Sequence, residues 1–273
     1  LMTPLEFLAV VLPSPATGLY CAAELSTKKK EHIYVKNLED IYPSVTEWVA
    51  AGKNAFIALS TFELAGKRTA ENSRFIKSLF IDMDGYASKK QAALALGASL
   101  ADTGLDSLGA PWIVGSGGGL HCYWPFTQDV EVAVWKPMAE NFKRLCKQQK
   151  LNIDMTVTAD AARVLRIPET MNFKEKYPEP RPVKLLTEGS VFDFDILSTA
   201  IADKLLIAPI AAQNAFNLPG KRPEAAPAVP ATMAGVKLFE NSTTKFGNIY
   251  KKTKAGTGCA QLKHFIENAE EDG

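Results

Sequence analysis

Two aspartates separated by one residue stand between an apolar run and a glycine in the segment FIDMDG, residues 80–85. If the run is a strand, alternate side chains share a face, so Asp82 and Asp84 project together while Ile81 and Met83 point into the core. Their Cα atoms would then lie about 6.6 Å apart. Both carboxylates could therefore hold one or two hard cations such as Mg²⁺ or Mn²⁺.

The same six residues permit two other interpretations. A D-x-D-G sequence at a strand end can be a solvated turn, in which aspartate caps backbone amides and Gly85 supplies a positive φ. The segment also resembles the nucleophile loop of haloacid-dehalogenase-type phosphatases, in which Asp82 would be the attacking group. This motif alone leaves the three interpretations open.

A second segment with chemical potential is SGGGLH, residues 116–121, inside a predicted β-hairpin over residues 111–126. Backbone amides of a glycine-rich turn approach anions closely, and Ser116 and His121 could add hydrogen-bond donors to a triphosphate. A plain hairpin with a partly buried histidine is the alternative. The chain has only 3 histidines, and one beside three glycines and downstream of the aspartate pair favours a functional role.

The third segment, residues 151–174, combines acidic and basic side chains around a short apolar strand. Its polar candidates are Asp154, Asp160, Arg163, Arg166, Asn172 and Lys174. Residues three apart point to opposite faces of a regular strand, so at most one of the two arginines should face the cations unless a bulge intervenes, and Arg166 is preferred. Upstream of the aspartate pair, Arg68, Arg74 and Lys77 are further cations that could meet phosphates.

Composition limits the class of protein. The chain has 273 residues, 47% of them hydrophobic, which is enough for a large core. Its net charge of +1 shows no global basic signature, so any nucleic-acid binding must come from local patches. The 4 cysteines lack C-x-x-C spacing, which fits a reducing cytoplasm, and no segment approaches the length of a membrane span.

The elements that must position these segments follow from the apolar pattern. We predict helices over residues 4–12, 41–51, 89–105 and 131–150 and a strand over 55–60, with a solvated loop at Lys28, Lys29 and Lys30. The alternation of strands and helices suggests a layered architecture. Residues 180–202 add a strand and a helix, and the Ala- and Pro-rich residues 207–235 are predicted to form an extended linker.

Taken together, the three segments resemble the archaeo-eukaryotic primase superfamily, and specifically the primase-polymerases of phages and plasmids. The three motifs of that family appear in order as FIDMDG, as SGGGLHCYW and as Ile153 and Asp154 followed by RVLRIPETMNFK, over roughly residues 55–174. The chain departs from the family pattern at two positions. Gly119 stands where a serine usually precedes the histidine by two residues, and Glu169 stands where the tail motif usually has glycine.

The resemblance implies a role for each candidate residue. Asp82, Asp84 and Asp154 would be the catalytic metal ligands for two Mg²⁺ or Mn²⁺ ions, with Asp160 as the competitor for the third position. His121 would grip the phosphates of the incoming nucleotide. The remaining phosphate or nucleic-acid contacts would come from Ser116, Gly117, Gly118, Gly119, Arg163, Arg166, Asn172 and Lys174.

The resemblance also implies the fold and the activity. We expect an α+β primase-polymerase catalytic domain over residues 1–206, with an RRM-like antiparallel or mixed sheet flanked by helices. The linker at 207–235 would lead to a small helical segment at 236–273, ahead of a helicase region on a longer chain.

The implied activity is that of a template-directed DNA polymerase with primase activity, acting in phage or plasmid replication in the cytoplasm of a bacterial or archaeal host. Its partners would be a single-stranded DNA template, a primer and a deoxynucleoside triphosphate, with a ribonucleotide as the alternative. A dehalogenase-type phosphatase and a non-catalytic nucleic-acid-binding replication module are the rival functions.

Overall fold

The protein consists of antiparallel sheets with flanking helices. The computed structural model describes residues 2–213, and for residues 206–213 it describes only the backbone. The helices are α1 Pro4–Val11, α2 Tyr42–Ala50, α3 Lys89–Thr103, α4 Val132–Gln148 and α5 Phe194–Gln213. The first strands are β1 Tyr20–Glu24, β2 Glu31–Val35, β3 Ala55–Ala58, β4 Ser60–Phe62 and β5 Ser73–Met83. The later strands are β6 Trp112–Gly115, β7 Leu120–Glu131, β8 Val164–Arg166, β9 Met171–Asn172, β10 Arg181–Pro182 and β11 Lys184–Thr187.

A five-stranded antiparallel sheet in the order β11-β6-β7-β5-β4 carries the aspartate pair and the histidine. Strand β5 lies between β7 and β4, and Leu79, Phe80 and Ile81 on it are all fully buried, so both faces of the strand are covered there. Helix α4 packs on this sheet through Trp135, whose ring stacks on Phe80 at 5.9 Å and whose Nε1 donates to the Ser78 carbonyl. The end of β5 is therefore held on a rigid support.

A four-stranded antiparallel sheet in the order β2-β1-β3-β8 faces the same core. The hairpin of β1 and β2 was not predicted, since YCAAE is short and rich in alanine, but the turn at Lys28, Lys29 and Lys30 is exposed as expected. Strand β8 pairs with β3, with Arg166 opposite Phe56. This pairing brings the third sequence segment beside β3.

The predicted α+β class is confirmed. Although strands and helices alternate along the chain, all strand pairs within the two large sheets are antiparallel. The predicted helices correspond to α1 to α4. Helix α5 ends at Gln213, so residues 207–213, predicted as the start of the linker, are helical. Three of these seven residues are alanine, which favours helix formation, and the alanine content together with Pro209 was misread as a sign of extension.

The rest of the predicted linker and the helical segment at 236–273 lie outside the described residues and stay predictions. Within residues 2–213, none of the helices combines the length and the apolar character needed to cross a bilayer.

Candidate active site

Asp82 and Asp84 line a cavity of about 300 Å³. Asp82 is on β5 and Asp84 follows the strand, and both line the cavity, while Ile81 and Met83 are fully buried. Gly85 has φ 82°, and its N–H donates to the Asp84 carboxylate at 3.0 Å. The side-chain directions predicted from strand alternation are therefore observed, and the glycine turn follows as expected.

Asp82 is a carboxylate in an electrostatically unfavourable place. Burial, and next the charge of Asp84, raise the pKa of Asp82 to about 6, against the opposing effect of Lys174. Among the described side chains, no lysine or arginine nitrogen lies within 4.0 Å of its oxygens. Its near neighbour is instead His121, whose Nε2 lies 3.8 Å from Asp82 Oδ1.

His121 sits on β7 directly across from Asp82 in the strand register. It is 4% exposed, and its pKa is lowered to about 3 by burial and then by the charges of Arg166, Lys174 and Arg163. The imidazole is therefore neutral at physiological pH and offers one N–H donor. Its Nδ1 atom is buried without a hydrogen-bond partner among the described residues, which leaves a polar atom available at the cavity wall.

The glycine segment forms a tight turn that depends on missing side chains. The Gly119 N–H donates to Ser116 Oγ at 3.1 Å, and Gly117 has φ 82°. A Cβ atom on Gly119 would collide with the Met83 carbonyl, and one on Gly118 would collide with the Tyr177 hydroxyl. Glycine is required here because the turn lies against the backbone that carries Asp84.

Protein groups already occupy several polar atoms of this turn. The Ser116 carbonyl accepts from Asn172 Nδ2 at 2.8 Å, and the Gly117 carbonyl accepts from Arg181 at 3.3 Å. Asn172 is 2% exposed, and its Oδ1 accepts from the Lys174 N–H at 3.1 Å. Ser116 and Asn172, predicted as phosphate contacts, therefore brace the turn, although both also line the cavity.

Four basic residues line the same cavity as the carboxylates. These residues are Arg68, Arg163, Arg166 and Lys174. The expectation that at most one of Arg163 and Arg166 would face this site is wrong, because Arg163 precedes β8 and strand alternation does not apply to it. Of the upstream cations, Arg74 pairs with Glu63 at 3.0 Å instead, and Lys77 donates to the Ala9 carbonyl.

Asp154 is next to Asp82 in the backbone, because its N–H donates to the Asp82 carbonyl at 2.8 Å. Its carboxylate accepts from Thr156 and from Arg163 Nη2, the latter at 3.3 Å, and these partners lower its pKa despite the opposing effect of partial burial. Asp154 is not among the side chains that line the cavity.

Asp160 accepts from the Ala162 N–H at 3.0 Å and lines a different groove. This geometry is that of a turn cap.

Sequence reasoning missed the apolar and aromatic part of the wall. Leu25, Phe56 and Tyr177 line the cavity beside the basic residues, and Tyr177 lies under the guanidinium of Arg181 at 4.1 Å. Apolar residues in short strands have the pattern of ordinary core residues, so nothing in their spacing marked them.

The carboxylates of Asp82 and Asp84 are the candidate ligands for a divalent cation. Among the described residues, three or more Asp, Glu, His or Cys side chains do not come together in a metal-binding group. Asp82 and Asp84 nevertheless form a partly buried acidic pair whose repulsion a cation would relieve, and oxygen donors suit Mg²⁺ and Mn²⁺. The two aspartates fit such an ion, and further ligands would come from water and substrate phosphate, as is usual for Mg²⁺.

Comparison with known proteins places the fold. No family model and no curated protein sequence matches the chain. The AEP domain of the cyanophage S-2L primase-polymerase is similar in structure, with 18% identity and a TM-score of 0.52, covering 72% of this chain and 95% of that domain. Primase RepB' is also similar, with 13% identity, a TM-score of 0.48 and coverage of 78% and 67%.

The chain therefore has the fold of a primase-polymerase domain of the archaeo-eukaryotic primase type, as the sequence motifs predicted. The antiparallel sheets and flanking helices described above are the elements of this fold.

Proposed function

We propose that this chain is a divalent-metal-dependent nucleotidyltransferase that extends a primer along a single-stranded DNA template and also makes primers. The observation that carries the proposal is one cavity lined both by the carboxylates of Asp82 and Asp84 and by four basic side chains. A nucleoside triphosphate with its metal ion needs both kinds of group, because the cation is held by acids and the phosphates by bases.

Each group has a task in this reaction. The 3′-hydroxyl of the primer releases its proton to solvent, its oxygen bonds to the α-phosphorus, and the bond from that phosphorus to the bridging oxygen breaks, so that pyrophosphate leaves. Divalent ions held by Asp82 and Asp84 would supply Lewis-acid stabilisation of the attacking oxygen and the phosphates. Arg163, Arg166 and Lys174 bind the anionic triphosphate, and they neutralise charge most effectively where water is excluded.

His121 contributes as a neutral donor. Because its pKa is far below neutrality, it does not exchange a proton with the substrate at physiological pH, and its N–H can donate to a phosphate oxygen. We retain Asp154 as the third carboxylate of the proposal, since its backbone adjoins Asp82 and its charge acts on the pKa of Asp82. Arg163 and Thr156 contact its carboxylate oxygens.

The test is nucleotide incorporation by the full-length chain on a single-stranded template with labelled nucleotides and Mg²⁺ or Mn²⁺, with and without a primer. The double variant Asp82→Asn with Asp84→Asn should lose incorporation by at least about 1000-fold, an order typical of removing preorganised charge stabilisation. Asp102→Asn with Asp106→Asn is the matched control, since it changes the net charge equally at exposed positions on and after α3.

Two outcomes would contradict the proposal. One is incorporation by the Asp82 and Asp84 double variant at the wild-type rate. The other is tight DNA binding by the wild type without incorporation under either metal, which would favour a non-catalytic nucleic-acid-binding module.

A further inference from the structure

Arg166 is a buried cation that no carboxylate contacts directly among the described residues, although the charge of Asp82 acts on it from a distance. It is 4% exposed, and none of the described carboxylates lies within 4.0 Å of its guanidinium. Its contacts are neutral: Nη1 donates to Asn54 Oδ1 at 2.5 Å, and the guanidinium carbon lies 4.7 Å from the centre of the Phe56 ring. Burying an unpaired charge is costly, so the arrangement suits a site that awaits an anion.

The charge of Arg166 is retained and reaches the cavity. Burial lowers its pKa to about 10, which still leaves the guanidinium protonated at physiological pH. Its charge is also the second cause, after burial, of the lowered pKa of His121. An anion in the cavity would therefore experience the same field.

Asn54 fixes the position of this guanidinium. The residue is 6% exposed and directly precedes β3. Its Oδ1 also accepts from the Phe173 N–H at 2.9 Å, while its backbone N–H and Nδ2 both donate to Ser26 Oγ. One amide thus ties together the β1–β2 turn, the start of β3, the end of β8 and the segment after β9.

An amide differs from a carboxylate here in one decisive respect. Aspartate has the same shape and could accept from Arg166 and Phe173 equally well, but its negative charge would neutralise the guanidinium. Asparagine holds the guanidinium of Arg166 in position without neutralising its positive charge.

We infer that Asn54 is a positioning residue that holds Arg166 at the cavity while leaving its positive charge free for a phosphate of the bound nucleotide. The inference rests on the proposed function, because it takes a nucleoside triphosphate as the anion. It adds to that function a residue that does not itself line the cavity.

The test measures binding of dATP with Mg²⁺ to the full-length chain by calorimetry, together with the thermal midpoint of each variant. Asn54→Asp should weaken dATP binding by at least about tenfold, the size expected for compensating one nearby charge at a partly screened site. Asn54→Ala should weaken it less, since the charge remains but is no longer fixed. A merely structural role predicts the reverse order, with Asn54→Ala the poorer in both binding and thermal midpoint.

Two further variants show whether the effect passes through Arg166. In the Arg166→Gln background, Asn54→Asp and Asn54→Ala should change dATP affinity by less than about twofold, because coupled residues are not additive. Asn141→Asp is the matched control: Asn141 also accepts from an arginine, Arg144, but on the surface of α4, and its change should leave dATP affinity unaltered.

Two results would contradict the inference about Asn54. Wild-type affinity in Asn54→Asp, or equal losses with and without Arg166, would contradict it. If Asn54→Asp does not fold, the Asn54→Ala pair with and without Arg166→Gln decides the question. Wild-type binding of dATP without incorporation would contradict the proposed function and leave the inference standing, whereas absence of dATP binding by the wild type would contradict both.

Discussion

Burial and neighbouring charges determine the pKa values of Asp82 and His121 in the cavity. The pKa of Asp82 is raised by burial and by the charge of Asp84. The pKa of His121 is lowered by burial and by three nearby cations. Burial is the larger cause of both pKa shifts, and the charges of neighbouring residues add to it. A metal–triphosphate complex would reduce both sources of unfavourable energy at once, because it brings positive charge to the acids and negative charge to the bases.

A pair of variants separates the two candidates for the third carboxylate. Asp154→Asn should reduce incorporation by at least about tenfold, because it removes the negative charge that adjoins Asp82 and pairs with Arg163. Asp160→Asn should keep activity, since an asparagine oxygen can still accept from the Ala162 N–H and the residue lines another groove. Steady-state incorporation rates with a primed template measure both effects.

The opposite pattern, with Asp160→Asn inactive and Asp154→Asn active, would contradict the assignment. Thermal midpoints of both variants provide the control, because a loss of activity counts only if the variant remains folded at the assay temperature.

At this scale the sequence predicted the residues that have unusual chemistry. The aspartate pair, His121 and the basic residues were all identified, because charged groups near an apolar strand are conspicuous. Asn54 was missed, since a single asparagine before a strand has the pattern of a turn residue. Only the fold, by pairing β3 with β8, places it beside Arg166.

Helix α4 shows how an element's end can position a functional segment. The helix closes with the Leu151 N–H bonded to the Cys146 carbonyl and the Lys150 N–H bonded to the Lys147 carbonyl, the pattern of a Schellman motif. Lys150 takes the left-handed conformation, with φ 55°, that this motif requires and that usually falls to glycine. The chain then leads directly to Asp154.

Lys150→Gly should therefore stabilise the protein. Glycine adopts the left-handed conformation without strain, so we expect about 0.5–1 kcal/mol in the free energy of unfolding. Chemical denaturation followed by circular dichroism measures the change. The contrasting variant is Lys147→Gly inside α4, which should destabilise by about 1 kcal/mol, and a loss of stability in Lys150→Gly would contradict the interpretation.

The elements were predicted where periodicity was strong and missed where segments were short. Helices α3 and α4 were found from their apolar spacing, and the glycine hairpin from its turn. The β1–β2 hairpin escaped because β1, YCAAE, contains no β-branched residue. Glu169 has φ 62° and an exposed side chain, which explains why the related motif has glycine there and why its charge stays outside the cavity.

The described part of the molecule joins two sheets around one main core, and the cavity draws on both. Asp82 and His121 come from the five-stranded sheet, and Phe56 and Arg166 from the four-stranded sheet. Because Asp82 and Arg166 come from different sheets, the site depends on how the two sheets pack. Spacing along the chain could not predict that arrangement.

The most direct test of the central claim is whether the template determines the incorporated nucleotide. The full-length chain is given primed single-stranded templates that differ only in the first templating base, with each labelled deoxynucleotide offered separately in Mg²⁺ or Mn²⁺. The Asp82→Asn with Asp84→Asn variant controls for contaminating polymerases. We predict incorporation of the complementary nucleotide on each template, abolished by EDTA, and incorporation that is absent or independent of the template base would contradict the account.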